Sequence, residues 1–269
     1  MSSLKKLRVV IVDDSMFMRA AIKKVLESHG GFDVVAQARD GREGVAKVVE
    51  HRPDVVTMDF NMPEQNGAQA VSEIMSKRPT PIIMFSAHTQ EGARETFEAL
   101  SAGAVDFCTK PAGEVSVDLS SIAADLVEKL QAAAGATPRA QKPVILAPAE
   151  RNFRPTWPPG GPKVIIIGVS TGGPAALSRV IPAMPAMTRS PILIVQHMPA
   201  QFTKALAERL NGQSALKVRE ARDGDIPRPG QVLIAPGDRH LEMAPGGTLR
   251  LTNGPPVNGC RPSADVTMM

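Results

Sequence analysis

Residues 163–174 read Lys163-Val-Ile-Ile-Ile-Gly-Val-Ser-Thr-Gly-Gly-Pro174, and they indicate the fold of the second half of the chain. Residues 164–167 are all β-branched and apolar, which predicts a strand of a parallel sheet covered on both faces. The glycine turn after the strand carries Ser170 in a G-x-S-x-G pattern, and Pro174 suits the first turn of a helix. A strand, a glycine turn and a helix in this order predict an α/β domain that presents Ser170 as a nucleophile.

The same turn allows two further interpretations. Glycines after a strand also form phosphate-binding turns at helix N-termini, and many such turns only join a strand to a helix. A dinucleotide-binding fold would place an acidic residue near the end of its second strand to hold a ribose. The next apolar run, Pro191-Ile-Leu-Ile-Val-Gln-His-Met-Pro199, contains Gln196 and His197 at that position instead, which counts against a nucleotide.

Composition limits the classes of protein to consider. A chain of 269 residues is longer than most single cores and predicts two domains. It has no Tyr, a single Trp and dispersed basic residues with a net charge of only +4, so we expect no nucleic-acid partner. Cys108 and Cys260 lie far apart, which predicts neither a metal site nor a disulfide scaffold and favours a reducing cytoplasm. Because no apolar stretch could span a bilayer, we expect a cytoplasmic protein with no membrane insertion.

The chain divides into three predicted segments. Residues 1–134 alternate apolar runs with helix-period segments, which is typical of a parallel α/β sheet. Residues 135–162 are rich in Ala and Pro and predict an extended, semi-rigid linker. Residues 163–269 form the second α/β domain. The five strands of the first domain are predicted at residues 8–12, 33–37, 55–58, 82–85 and 104–107.

Polar side chains fall where the strands of the first domain end. They are Asp13 and Asp14 after the first strand, Asp59 after the third, Ser86 after the fourth and Lys110 after the fifth. Because parallel strands end at one edge of a sheet, these side chains should converge on one pocket. The three carboxylates would repel one another unless a cation joined them, and oxygen ligands suit Mg²⁺.

Four motifs of the first domain together resemble those of response-regulator receiver domains. They are Val12-Asp13-Asp14-Ser15, Met58-Asp59-Phe60-Asn61-Met62-Pro63, Phe85-Ser86-Ala87 and Thr109-Lys110-Pro111. The resemblance implies that Asp59 accepts a phosphoryl group from a phosphohistidine on a chemotaxis histidine kinase. It also implies a Mg²⁺ site made by Asp13, Asp14, Asp59 and the backbone carbonyl of Asn61. Ser86 and Lys110 would bind the phosphoryl oxygens.

The second domain repeats the strand-helix pattern and adds a histidine. If its first two strands form a βαβ unit, they are parallel, and as neighbours they would lie about 4.8 Å apart. Ser170 and His197 would then lie at the same edge of the sheet. A serine and an imidazole placed there can act as a nucleophile and its general base.

Four motifs of the second domain resemble the catalytic domain of the chemotaxis protein-glutamate methylesterases, the CheB family. They are Gly168-Val169-Ser170-Thr171-Gly172-Gly173-Pro174, Val195-Gln196-His197-Met198-Pro199, Ala235-Pro236-Gly237-Asp238-Arg239-His240 and Arg261-Pro262-Ser263-Ala264-Asp265. Receiver, linker and esterase domain also occur in the order of that family. The implied fold is a receiver with a five-stranded parallel doubly wound sheet, linked to a Rossmann-like α/β methylesterase domain.

This second resemblance implies a reaction. The enzyme would hydrolyse glutamyl methyl esters on chemoreceptors, releasing methanol, and would also deamidate receptor glutamines. Ser170 would attack the ester carbonyl, and His197 would take its proton and return it to the leaving methoxide. The esterase step would need no cofactor, and phosphorylation of the receiver would control it.

The chain departs from the family at its C-terminal end. The family supplies a carboxylate to the catalytic histidine from a late Gly-Met-Gly-x-Asp-Gly-like loop, whereas this sequence stops at Met269. We therefore expect a truncated domain whose sheet is incomplete, without the triad aspartate and with impaired catalysis. Asp238 reads as a turn residue and Asp265 as a helix start, so neither is expected to replace it; Asp223 and Asp225 are the other available acids.

Two alternatives have no esterase step. The chain could be a non-catalytic phospho-receiver that acts as a phosphoryl sink. It could also be a transcription regulator, although no helix-turn-helix pattern or basic recognition helix occurs in the sequence.

Overall fold

The computed structural model of the chain describes residues 5–87, 89–110, 120–136 and 164–269. The chain separates into two compact units, Met1–Lys142 and Pro143–Met269. The domain limits at residues 134 and 163 stay a prediction, and the linker predicted at 135–162 lies almost wholly outside the described residues. None of the described helices combines the length and the apolar character needed to cross a bilayer.

The first unit is a parallel five-stranded sheet wound with helices, as the sequence predicts. Its strands are β1 (Leu7–Val12), β2 (Phe32–Ala38), β3 (Val55–Asp59), β4 (Ile82–Ser86) and β5 (Asp106–Thr109). Its helices are α1 (Met16–His29), α2 (Gly41–His51), α3 (Gly67–Lys77), α4 (Gln90–Ala102) and α5 (Ser120–Ala134). The strand order is β2-β1-β3-β4-β5, and every neighbouring pair is parallel. Helices α1 and α5 contact each other and share one hydrophobic core with the sheet.

Short polar residues begin the helices of this unit. The side chains of Ser15, Asp40 and Thr89 each accept a hydrogen bond from a backbone N–H of the first helical turn. Asn66 and Gln69 form a reciprocal capping box at the start of α3. These caps satisfy N–H groups that a helix start would otherwise leave unpaired, which fixes where each strand-to-helix loop ends.

Strand β5 lies two residues later than the predicted 104–107. The N–H of Ala104 still donates to the carbonyl of Ala99, at 3.0 Å, so this residue belongs to the C-terminal cap of α4. Gly103, with φ of 124°, turns the chain there. The prediction was wrong because a small apolar residue after a helix looks like the start of a strand. The shift places Lys110 directly after the last strand residue, Thr109.

The second unit combines a four-stranded parallel sheet with a hairpin. Its elements are β6 (Ile165–Val169), α6 (Gly173–Val180), β7 (Ile192–Gln196), α7 (Ala200–Gln213), β8 (Lys217–Glu220), β9 (Gln231–Ile234), β10 (His240–Met243), β11 (Leu249–Thr252) and α8 (Ala264–Met268). The sheet order is β6-β7-β9-β8, and β10 pairs with β11 in antiparallel fashion. The α/β class of both units is therefore as predicted.

Strand β6 differs from its prediction in burial. Four of its five residues are partly exposed and Gly168 is exposed, whereas every residue of its neighbour β7 is buried. The prediction of a strand covered on both faces was wrong, because β6 lies at the end of the strand order and has a described partner on one side alone. A run of β-branched residues does not distinguish an edge strand from a central one. The incompleteness of this sheet stays a prediction.

A bidentate ion pair stabilises the loop after β8. Arg219 Nη1 and Nη2 lie 2.6 Å and 2.9 Å from the two carboxylate oxygens of Asp225, which also accepts from the Arg222 N–H at 2.7 Å. The hydrogen bonds from Arg219, followed by that from the Arg222 N–H, hold the pKa of Asp225 below its usual value, although burial opposes them. The ion pair therefore stabilises the fold fully above the unfolded-state pKa of Asp225, about 4. This stabilisation is lost as the pH falls through the lower folded-state pKa of Asp225.

Asp225→Asn should lower the free energy of unfolding by about 1–3 kcal/mol at pH 7, because one partner of a charge-assisted pair is removed. The difference from wild type should shrink below about pH 4. Denaturant unfolding followed by circular dichroism at several pH values measures both effects. Glu208→Gln, at an exposed position of α7, is the matched control. Equal stability of Asp225→Asn and wild type at pH 7 would contradict the expectation.

Candidate functional sites

Three carboxylates and a lysine converge at the carboxyl edge of the first sheet. Asp59 is the last residue of β3, and Asp13 and Lys110 directly follow β1 and β5. Lys110 Nζ lies 2.8 Å from Asp59 Oδ2 and 3.3 Å from Asp13 Oδ2. Carboxylate oxygens of Asp13, Asp14 and Asp59 lie within 4.8 Å of one another. The convergence expected from the strand ends is thus present for these four residues.

The donor set fits Mg²⁺. Asp13 is 1% exposed, and its buried Oδ2 atom has the Lys110 ammonium, 3.3 Å away, as its ionic partner but no hydrogen bond. One ammonium cannot neutralise three neighbouring carboxylates, and buried charge that is not neutralised is costly, so a second cation would stabilise the site. Carboxylate oxygens are hard ligands of the kind that bind Mg²⁺, usually one or two per ion together with water or phosphate oxygens.

Burial and charge repulsion shift the pKa values of the same groups. Burial raises the pKa of Asp13 to about 6, with a further increase from Asp59, although Lys110 opposes both. Burial also raises the pKa of Asp59 against the opposing effect of Lys110. For Lys110, burial favours the neutral amine, but Asp59 and Asp13 outweigh it and the pKa is raised. The pocket therefore has a surplus of negative charge that a cation would relieve.

Two other predicted residues of this pocket have different partners. Ser86, at the end of β4, is 2% exposed, and its hydroxyl donates to the carbonyl of Gly92 at 2.8 Å. Asn61 Nδ2 donates to both carboxylate oxygens of Glu95, at 3.3 Å and 3.1 Å. The pKa of Glu95 is raised, mainly by burial. Sequence reasoning missed Glu95, because a glutamate on an amphipathic helix normally faces solvent.

In the second unit, strand register brings Ser170 and His197 to neighbouring strand ends. Strands β6 and β7 are parallel, and Val169 is the register partner of Gln196. The N–H of His197 donates to the carbonyl of Val169 at 3.3 Å, which extends the ladder by one residue. The serine and the histidine are thus the first residues beyond one pair of aligned strands, as the βαβ interpretation requires.

The turn that carries Ser170 is closed by glycines. Gly172 has φ of 76°, in the left-handed region that favours glycine, and α6 begins at the next residue with Pro174 in its first turn. Ser170 itself has no positive φ. The residue of this turn that adopts the left-handed conformation is therefore Gly172 and not Ser170.

Gln196 is a functional candidate that sequence reasoning treated only as part of a motif. It is 1% exposed, and its Nε2 donates to the carbonyl of Ser170 at 3.1 Å and to that of His197 at 3.4 Å. The signal was available in the sequence, since Gln196 ends an otherwise apolar run of five residues that forms β7. A buried polar side chain at a strand end needs partners, and here the partners belong to the Ser170 turn and to His197.

Cys260 also contacts the histidine. Its Sγ lies 3.4 Å from His197 Nδ1. The loop that carries Cys260 is anchored by His240, whose Nδ1 accepts from the Ser263 N–H and whose Nε2 lies 3.0 Å from the carbonyl of Pro255. Because Nδ1 accepts, the ring hydrogen is on Nε2, which donates to Pro255. Sequence reasoning counted Cys260 only as an isolated cysteine and had no signal for this contact.

The four aspartates that could replace the triad aspartate beside His197 have other roles in this unit. Asp225 pairs with Arg219, and Asp223 accepts from the Leu251 N–H at 2.9 Å. Asp265 accepts from Asn258 in the first turn of α8. Asp238 has φ of 63°, which agrees with its interpretation as a turn residue.

Comparison with known proteins covers both units. The sequence model of the family described as "CheB methylesterase" matches residues 165–269, and that of "Response regulator receiver domain" matches residues 9–118. A Symbiobacterium thermophilum protein named protein-glutamate methylesterase/protein-glutamine glutaminase is 45% identical, over 98% of this chain and 76% of the relative. The protein of that name from Thermotoga maritima is 44% identical, over 97% and 76%. The crystal structure of the response regulator domain of Thermotoga maritima CheB is 47% identical, covering 49% of this chain and 98% of that chain, with a TM-score of 0.46.

Proposed function

Because this chain belongs to the protein-glutamate methylesterase/protein-glutamine glutaminase family, we propose that Ser170 and His197 hydrolyse glutamyl methyl esters and deamidate glutamines on chemoreceptors. The observation that carries the proposal is the register of β6 and β7, which sets the two residues side by side at one sheet edge. The receiver unit accepts a phosphoryl group on Asp59 from a chemotaxis histidine kinase and thereby controls the esterase.

The esterase reaction uses Ser170 as the nucleophile. Its Oγ attacks the ester carbonyl carbon while His197 takes the hydroxyl proton, giving a tetrahedral intermediate. Collapse of the intermediate breaks the bond to methoxide, which takes the proton from His197 and leaves as methanol. Water then attacks the acyl-enzyme with the same general base and releases the glutamate side chain and free Ser170. Deamidation follows the same route with ammonia as the leaving group.

The oxyanion of the intermediate needs donors close to Ser170. The Thr171 N–H follows the nucleophile directly and has no acceptor among the residues that the structure describes. A donor aimed at the developing charge is worth about 2.7–4 kcal/mol in enzymes where it has been removed. We assign this role to the N–H groups of the glycine turn, beginning with Thr171.

Phosphorylation uses the pocket of the first unit. The Asp59 carboxylate attacks the phosphorus of the phosphohistidine and displaces the imidazole, while Lys110 neutralises phosphoryl oxygens. Receiver domains generally bind Mg²⁺, and Asp13, Asp14, Asp59 and the Asn61 carbonyl would hold it here. The ion would supply further neutralisation of the transferred charge. Ser86 can bind the phosphoryl group only after its hydroxyl leaves the Gly92 carbonyl, which links the phosphorylated state to helix α4.

Mg²⁺ should stabilise the first unit. At a concentration of 10 to 100 times its dissociation constant, the ion should raise the free energy of unfolding by about 1.4–2.7 kcal/mol, and chelation should reverse the gain. Asp13→Asn should lose most of the effect, because the buried Oδ2 ligand is replaced. Asp33→Asn, at an exposed position of β2, should keep it. Thermal unfolding with and without Mg²⁺ provides the comparison; an equal response of Asp13→Asn and wild type would contradict this metal site.

Release of methanol from methylated receptor tests the proposed function. Membranes whose chemoreceptors carry tritiated methyl esters are incubated with the full chain, with Ser170→Ala or with Asp59→Asn, and volatile radioactivity is counted. Release that requires Ser170 supports the esterase. Phosphorylation of Asp59 without any Ser170-dependent release would favour the phosphoryl sink instead.

A further inference from the structure

The side chain of Gln196 lies across the base of the Ser170 turn. The carbonyl of Ser170 accepts two hydrogen bonds, one from Gln196 Nε2 at 3.1 Å and one from the Gly173 N–H at 2.8 Å. Both donors lie on the side of the peptide away from Thr171 N–H. Because Gln196 is 1% exposed and sits on the buried strand β7, its amide is held by the sheet rather than by solvent. Gln196, held on β7, therefore fixes the direction of the Ser170 carbonyl.

The direction of that carbonyl fixes the direction of the next N–H. Ser170 and Thr171 share one planar trans peptide, in which the C=O and N–H bonds point in opposite directions. With the carbonyl held toward Gln196 and Gly173, the Thr171 N–H points to the opposite side, away from these two groups. This is the N–H that follows the nucleophile, and within the described ranges no protein acceptor occupies it.

Close packing keeps Gln196 in this place. A Cβ atom on Gly173 would lie 1.9 Å from Gln196 Oε1 and 2.9 Å from its Cδ. The amide can therefore lie against the turn only because residue 173 has no side chain. Gln196 Oε1 itself is buried and accepts no hydrogen bond in the described part of the chain. Burying this oxygen without a donor lowers the stability of the fold. The same side-chain position allows Nε2 to donate to the carbonyls of Ser170 and His197.

We propose that Gln196 is a positioning residue of the hydrolysis: it turns the Ser170–Thr171 peptide so that the Thr171 N–H faces the oxyanion. The inference rests on the proposed function of Ser170 and extends it to a residue that touches neither substrate nor proton. The same Nε2 also lies 3.4 Å from the carbonyl of His197, so the amide contacts the backbone of both the nucleophile and the base.

Gln196→Met tests the proposal, because it keeps the length of the side chain and removes the donor. The readout is hydrolysis of p-nitrophenyl acetate and of its thiono analogue, each normalised to its reaction with hydroxide. Sulfur accepts hydrogen bonds poorly, so an aligned oxyanion donor makes the enzyme prefer the oxo ester. Wild type should show this preference, and Gln196→Met should lose about 100-fold in kcat on the oxo ester with little change in KM, and much less on the thiono ester.

A second variant and a control complete the test. Gly173→Ala should displace Gln196 and reduce the oxo preference in the same way, whereas Gln213→Met, at the exposed end of α7, should keep it. Circular dichroism checks that each variant is folded. An oxo-to-thiono ratio in folded Gln196→Met or Gly173→Ala equal to that of wild type overturns this inference alone. A wild-type chain with no Ser170-dependent hydrolysis of either ester overturns the inference and the proposed function together.

Discussion

Ser170→Ala should abolish covalent labelling of the chain by a fluorophosphonate. In wild type, Ser170 Oγ attacks phosphorus, fluoride leaves and His197 takes the proton, so one phosphonyl group is added and the intact mass increases accordingly. Alanine has no nucleophile, and loss of a catalytic serine costs about 10⁶ in rate in a serine hydrolase with a complete triad. Even a slow enzyme should therefore fall below detection. Intact-mass measurements over time give the rate.

The labelling experiment has an internal control serine. Ser178 lies in α6, the helix that follows the Ser170 turn, and its hydroxyl donates to the carbonyl of Pro174 at 2.8 Å. Ser178→Ala should be labelled at the wild-type rate. Labelling of Ser170→Ala at that rate would show that another residue is the nucleophile, and peptide mapping of the adduct would identify it.

Asp59→Asn should abolish incorporation of phosphate from radiolabelled acetyl phosphate. The carboxylate oxygen that forms the acyl phosphate is replaced by an amide, which is not a nucleophile under these conditions. Wild type should give a hydroxylamine-sensitive product, as expected of an acyl phosphate, and incorporation should require Mg²⁺. Filter binding and intact mass quantify the product.

Two other aspartate variants test whether the loss of phosphate incorporation is specific to Asp59. Asp33→Asn, exposed on β2, should incorporate phosphate as wild type does. Asp13→Asn should incorporate it slowly, since a metal ligand is lost while Asp59 remains. Full phosphate incorporation into Asp59→Asn would contradict the assignment of Asp59 as the phosphorylation site. Peptide mapping would then show whether Asp13 or Asp14 is the acceptor.

The sequence predicted most of the first unit because local signals and fold agree there. The ends of β1 and β3 lie within one residue of their predicted ends, so Asp13 and Asp59 could be placed at one sheet edge from the sequence alone. Lys110 was placed there too, although its strand, β5, lies two residues later than predicted. The partners of Ser86 and Asn61 could not be predicted. The bonds from Ser86 to Gly92 and from Asn61 to Glu95 depend on the rotation of α4 against the sheet, which periodicity does not define.

The second unit was less predictable from sequence. An all-apolar run predicted β6 correctly as a strand but wrongly as a covered one, because strand order is a tertiary property. The Ser170 and His197 positions followed from the βαβ pattern. The contact of Cys260 with His197 joins residues 63 positions apart through a loop anchored by His240, and no local pattern encodes it.

We propose that phosphorylation of Asp59 controls the reactivity of Ser170, and the rate at which Ser170 is labelled measures that control. Fluorophosphonate labelling is followed with and without acetyl phosphate and Mg²⁺, in wild type and in Asp59→Asn, with phosphate incorporation measured in parallel. We expect phosphorylation to raise the labelling rate of wild type several-fold and to leave the labelling rate of Asp59→Asn unchanged. Equal labelling rates in phosphorylated and unphosphorylated wild type would contradict it.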